Sequence, residues 1–488
     1  MALTIKQKPR YNLVPSGNEI IFTVLDGDAV ANKYRVKYIC EVYVRNANWS
    51  VTNSQNRVAS LKTTPNDAGV GMFDISPVLD NFVSPDYTGG QVVHSGNGAN
   101  YFSQYKGVDY TEPDTTHPIH LIDKYSTNRN SVRYFQLKFK VQYSDTQEGD
   151  VAIDTNQSQT SEKYLVYNGV LQETDVLLWY NGNYTHNLSY QGWMMRDTND
   201  KFLTKSPATI YARSTDYGTL SFFTGLTPTN SGYTTGASGT TYYSISKIQM
   251  KFYDSSDVQL GSTRNQQNGI TSGGGYGNLG ASGYSAMRIQ YFGAFPGNLQ
   301  GAGYSWNSNT AYYTVQAFDD TTAISKLYTI KIIEDDCKGY ETIRLAWLNT
   351  FGVWDYYTFT KKSTRTVTTK KVHYQQLKGT WNKESYNPQG YLGGNKVFTS
   401  GAKEMIEINT DYIDEDTAVW LQELFVSPDV YILNSYSTDN ANEGYGLKYV
   451  EPVVLTTSSY TRKTLANDGL IQYKIDLERS KKVRVNRI

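Results

Sequence analysis

Two cysteines, Cys40 and Cys337, are all that the 488 residues contain. That is too few for a disulfide framework, so the fold must rest on packing and hydrogen bonds. Cys40 lies inside an apolar alternating run and is expected to be a buried free thiol. Proline is scarce as well, with 13 residues, which excludes a stiff polyproline spacer. Neither sign of charge is in excess: Lys plus Arg and Asp plus Glu stand at 46 each. A neutral chain has no general electrostatic pull towards nucleic acid or an anionic membrane. No run of about 18 apolar residues occurs, so no membrane-spanning helix is expected. The opening MALTIKQKPRYNL has no apolar segment of signal-peptide length, and a product assembled in the cytoplasm is expected.

Catalytic and cofactor motifs are missing too. There is no G-x-S-x-G elbow, P-loop, H-E-x-x-H or C-x-x-C. Gly275-Tyr276-Gly277-Asn278-Leu279-Gly280 does match G-x-G-x-x-G. That motif binds phosphate only between a strand and a helix N-terminus, and the ASGYSAMRIQYF that follows reads as a strand. His117 and His120, with Asp114 and Asp123 nearby, carry metal-binding side chains, but Pro118 separates the rings and no second pair stands at ligand spacing. In Asp439 to Gly444, Ala441 occupies a place where a calcium loop needs an oxygen. Carboxylates cluster at Asp319-Asp320, at Glu334-Asp335-Asp336 and at Asp414-Glu415-Asp416. Glycoside hydrolysis would need two of them about 5–10 Å apart across a groove; the third cluster suits the start of a helix. No catalytic residue, cofactor or metal is assigned.

What the chain does have is tyrosine and alternation. It holds 42 Tyr against 17 Phe, and Tyr favours strands and surfaces where the ring is buried and the hydroxyl wet. Tyr34, Val36, Tyr38, Cys40, Val42 and Val44 share one strand face. Phe135, Leu137, Phe139, Val141 and Tyr143 repeat the period, as do Ile471, Tyr473, Ile475 and Leu477. These are half-buried antiparallel strands. Asn181-Gly182 and Asn168-Gly169 suggest tight turns, and Asn349 to Gly352 suggests a slightly longer hairpin loop. One helix is expected over about 414–426, with an acidic first turn, a face of Ala418, Leu421, Leu424 and Phe425, and Ser427-Pro428 as its stop. A shorter one opens at Ser76-Pro77 and reaches Phe82, with the serine as cap and proline in the first turn.

The fold class expected is all-β, in several antiparallel sandwich-like domains with one or two short helices. Three regions are marked out. Residues 1–145 form a sandwich interrupted by a polar excursion at about 84–130. Residues 146–335 are β-rich, with Gly/Ser/Tyr-rich loops at 226–245 and 262–310. Residues 336–488 form strands plus the helix.

Several stretches carry a resemblance: YRVKYICEVYV; LKTTPNDAGVGMFDISPVLDNF at 61–82; YLVYNGVLQ with KFLTKSPATIYA; CKGYETIRLAWLNTFGVWDYYTFTKKS at 337–363; and DEDTAVWLQELFVSPDVYIL followed by EPVVLTTSSYTRKT. In texture and order they resemble tail and baseplate structural proteins of tailed bacteriophages. The resemblance implies a place in the virion tail, ring-like copies around the tail axis, contacts to other tail proteins, and no catalytic residues. Candidate interface residues are Trp354, Tyr356 and Tyr357 on the third region's hairpin. Lys481, Lys482 and Arg484 join them in a basic C-terminal segment able to add a strand to a neighbour's sheet. Two further readings are weighed. One is a receptor-binding protein using the loops at 226–245 and 262–310 for host surface glycans. The other is a polysaccharide depolymerase built on Glu334, Asp335 and Asp336. Expected partners are other copies of the chain and other tail proteins, not nucleic acid.

Overall fold

A computed structural model describes residues 2–9, 13–45, 56–85, 125–127, 132–172, 176–177, 187–188, 195, 197–223, 245–268, 289–299, 307–333, 339–380, 382–433, 450–457, 471–480 and 483–484. Strands dominate and helices are short. Two compact units are present: 1–333 with 348–355 and 437–446, and 334–347 with 356–436 and 447–488.

In the first unit the elements run β1 (Thr4–Gln7), β2 (Leu13–Pro15), β3 (Ile21–Leu25), α1 (Gly27–Asn32), β4 (Tyr34–Arg45), β5 (Arg57–Thr63), β6 (Gly71–Asp74), α2 (Ser76–Leu79), β7 (Tyr125–Thr127), β8 (Val132–Ser144), β9 (Ala152–Thr160) and β10 (Tyr164–Tyr167). They continue as β11 (Val176–Leu177), β12 (Asn187–Leu188), β13 (Thr209–Ala212), β14 (Thr219–Phe223), β15 (Lys247–Tyr253), β16 (Arg264–Gln267), β17 (Ile289–Gly293), α3 (Pro296–Leu299), β18 (Tyr312–Asp319), β19 (Thr322–Ala323) and β20 (Tyr328–Ile332). The chain then forms β21 (Ile343–Leu348), β22 (Trp354–Phe359), β23 (Ser363–Gln376), β24 (Gly394–Asn409), α4 (Glu415–Val426), β25 (Val430–Leu433), β26 (Val450–Leu455), β27 (Lys474–Arg479) and β28 (Val483–Arg484).

The N-terminal sandwich is built by two sheets. β1-β3-β6 faces β2-β10-β8-β4-β5, with β9 paired to β8. The even residues of β4 from Tyr38 to Val44 and the odd residues of β8 from Phe135 to Val141 are buried in one cluster with Phe22, Val24 and Phe73. Phe139 meets Phe22 and Phe73 at centroid distances of 6.0 and 5.9 Å, and Phe135 stacks on Tyr164 at 5.3 Å. Cys40 is buried as a free thiol in this core, and burial raises its pKa. Tyr34 leaves the expected face and is exposed. Arg35 takes φ 54°, and the register shifts between Tyr34 and Lys37, so the alternation is broken there.

The expected break at 145/146 falls inside this sheet, because β8 pairs with both β9 and β10. A second six-stranded sheet, β13-β20-β18-β15-β16 with β19, buries Ile248, Met250, Phe252, Tyr313, Val315 and Ile330 along alternating strands. Among the described strands two pairs are parallel, β2 with β10 and β13 with β20, which local hairpin signals cannot announce. Asn168-Gly169 makes no tight hairpin turn, as neither residue has positive φ. Instead Val170 N–H donates to Thr350 O at 2.8 Å. Asn181-Gly182 lies outside the described residues.

The second unit is one sheet, β22-β21-β25-β26-β27-β24-β23, with β28 added to β24. α4 covers one face: Ala418, Trp420, Leu421 and Leu424 pack with Ile343, Leu345, Trp347, Ile406, Ile408, Ile475 and Leu477. Asp414 caps the helix, its carboxylate accepting from Thr417 N–H at 2.8 Å. α2 begins where expected, but its cap position is Ile75; Ser76 donates instead to Asp74 at 2.8 Å.

Candidate assembly surface

The expected interface hairpin is an interior feature. Trp354 is 1% and Tyr356 3% exposed. The Arg344 guanidinium lies 5.2 Å over the Tyr356 ring and donates to Thr358 Oγ1 at 2.7 Å. Tyr357 is half-buried against Phe359 and Trp420. In this fold these rings offer a neighbour little surface. A run of aromatics marks a buried hairpin whether its own chain or another covers it, and sequence cannot tell the two apart. At the C-terminus, β28 pairs with Gly401 and Ala402 of its own β24 through Arg484 and Val483. This backbone therefore adds to its own sheet. Lys481 and Lys482 lie outside the described residues.

The exposed feature is β23–β24. Its two strands pair from Ser363↔Ile408 to Gln376↔Gly394, with an irregularity at Val372/His373. Among the described residues β27 and β28 flank β24 from Gly401 to Asn409. Beyond that the hairpin is, among the described residues, a two-stranded ribbon, and β23 is an outer strand of the sheet. No residue of β23 is buried. Gly393 and Gly394 adopt φ of 96° and 76°, the turn conformation that only glycine takes without strain. The tip closes on itself: Thr380 N–H donates to Asn387 O at 3.1 Å, and Gln389 N–H to Lys378 O at 2.8 Å. Val367, Val372, Leu377, Tyr386, Tyr391 and Phe398 are all exposed.

At the base of the arm a charge ladder crosses the sheet. Arg365 makes a fork to Glu341 (Nε–Oε2 and Nη2–Oε1, both 2.7 Å) and reaches Glu404 at 2.6 Å. Glu404 also accepts from Arg479 at 2.6 Å, and Arg479 forks to Glu451 at 2.7 and 2.8 Å. Lys403–Glu478 and Lys474–Glu407 add two bridges between β24 and β27. Hydrogen bonds from Arg365 and then Arg479 hold the Glu404 carboxyl below its ordinary pKa. The ladder carries on the strand face that buries Ile406 and Leu477, just where apolar residues end. Bidentate, networked pairs of this kind anchor better than isolated surface bridges.

The sequence pattern did not single this arm out. STRTVTTKKVHYQQ has no apolar stripe, because both faces are wet. Its signal was β-branched density ending at a Gly/Asn/Pro-rich turn.

Elsewhere, Glu41 is buried in the N-terminal sheet. Burial pushes its pKa up, but hydrogen bonds from Lys140 at 2.8 Å, Tyr43 at 2.8 Å and Arg57 at 2.9 Å prevail and lower it. This is a cross-strand structural cluster. Asp319 is raised by burial and by Asp320 beside it. Asp414 is a helix cap. Among the described residues no group of three or more His, Cys, Asp or Glu is placed to hold a metal. Asp114, His117, His120, Asp123, the 275–280 glycine run, Glu334–Asp336 and the 439–444 loop lie outside the described residues, as does most of 226–245 and 262–310. No described helix is long and apolar enough to cross a membrane.

No protein-family model matches the chain, and no curated protein matches it. Two crystal structures of Salmonella alpha-2-macroglobulin show distant similarity. A point mutant aligns at 7% identity and TM-score 0.17, over 99% of this chain and 30% of that one. The form reacted with methylamine aligns at 7% and 0.18, over 97% and 22%. The chain therefore spans less than a third of either structure's length. At those scores the likeness carries no argument about fold or function.

Proposed function

We propose that the protein is a structural component of a tailed-phage virion, a tail or baseplate subunit assembled in the host cytoplasm and repeated as a ring. Its work in this reading is adhesion to sibling copies and to other tail proteins. The observation that carries the reading is the β23–β24 arm, an exposed ribbon with an outer strand of 14 residues. Exposed edges of that length invite pairing or aggregation, so native proteins blunt or cover them; in this reading neighbouring subunits do the covering. The family resemblance of the sequence supports the same reading. Mass spectrometry of purified virions tests it. The chain is expected in several copies per particle, and its absence from particles would overturn the proposal.

A further inference from the structure

We infer that the β23–β24 arm docks on a second copy of this same chain, in a head-to-tail contact driven by charge. The inference rests on the virion reading in one respect, that copies of the chain meet; the surface they use is argued from the arm itself.

The ribbon is weakly held. Beyond Gly401 it has two strands, no described third strand, and no buried residue among the described ones but Gly379 at the tip. A free two-stranded hairpin is marginal in water. Its ladder base holds one end only. Its Tyr374–Phe398 contact, 6.2 Å edge to face, is a small gain on a wet surface.

The ribbon is also basic. Thr366 to Lys403 contains six lysines, Lys370, Lys371, Lys378, Lys383, Lys396 and Lys403, against Glu384 alone, a formal +5. Because the whole chain is formally neutral, everything outside the arm carries −5. Apart from Lys403, bound to Glu478, none of these lysines has an ion-pair partner among the described residues. Among the described residues the basic ribbon is thus unneutralised, while a second copy offers a net surplus of acid.

The position of the lysines selects the geometry. Two β23 strands paired across a two-fold axis near their middle would set Lys370 and Lys371 against their own copies. Like charges opposed across a strand pair are destabilising. The favoured contact is arm to acidic remainder, which is heterologous, and repeated heterologous contacts close into rings when the rotation permits. Exposed Tyr386 and Tyr391 at the tip supply ring area for the contact.

The experiment is native mass spectrometry with light scattering of the full chain, across concentration and from low to high salt. Wild type and Lys370→Glu/Lys371→Glu are compared, with circular dichroism to confirm that the variant is folded. The wild type is expected to self-associate at low salt and to weaken as salt rises. The double reversal is expected to weaken association by about tenfold or more. Amide protection along Thr368–Gln376 should rise with protein concentration in the wild type alone. A monomer under every condition overturns the inference, and so does an association that the reversal leaves unchanged. An arm that instead captures duplex DNA, with the reversal abolishing that capture, overturns it as well. Virions that contain the chain but assemble equally with the reversed arm would sink this inference while leaving the virion reading in place.

Discussion

Gly352 shows how one position can be forced by its surroundings. It turns the β21–β22 hairpin at φ 71°, and a Cβ there would sit 1.6 Å from the Asn168 carbonyl oxygen. Gly352→Ala meets both a left-handed backbone penalty and a backbone clash, so a loss of at least about 2 kcal/mol is expected in urea denaturation. Glu404 acts on stability through its proton. Its pKa in the folded state lies below its ordinary value of 4.5. The unfolded chain therefore binds that proton more tightly. The ladder's contribution is complete above that ordinary value and fades as pH falls through the folded one. Urea midpoints between pH 5 and pH 3 should drop more steeply for the wild type than for Glu404→Gln. A parallel fall in both would remove the ladder from the account. Cys40 is expected to resist alkylation in the native state, since its thiol is buried and its pKa is raised. Site mapping of labelled peptides with and without denaturant checks this.

At the scale of elements, α4 and the arm stand at opposite ends of legibility. The helix was readable because capping, acidic first turn, apolar face and proline stop coincide within fifteen residues or so. Trp420 was not placed on that face, yet it is buried and meets Trp347 at 5.2 Å. Its position follows from the width of the stripe the sheet covers, which spacing alone does not specify. Trp420→Ala is expected to cost about 3–5 kcal/mol in denaturation. The arm behaves oppositely. Replacing 371–400 by Asn-Gly would join Lys370 to Gly401, which are already register partners. It would remove no core residue. The melting temperature is expected to change by only a few degrees, while salt-dependent self-association disappears. A large loss of stability would mean that the arm supports the fold rather than an interface. Trp354 and Tyr356 belong to the same lesson: their aromatic signal was real, but it marked the interior.

For the whole molecule, charge balance and its distribution say different things. A formal net charge of zero at pH 7 removes long-range repulsion between copies, so association near neutrality is governed by local patches such as the arm. Much of the fold was written in local patterns: period-two alternation for the inward residues of β4, β8 and β27, the all-β class and the buried Cys40, and cap, face and stop signals for α4. Those features depend on contacts within one strand or one turn, and a linear pattern carries them. The parallel pairings of β2 with β10 and β13 with β20, the return of β10 to β8 past the local β9 hairpin, and the ladder from Glu341 to Glu451 link residues that are not neighbours in the chain. Only the closed tertiary structure decided them, because each is settled by which surfaces remain to be buried once the local strands have formed.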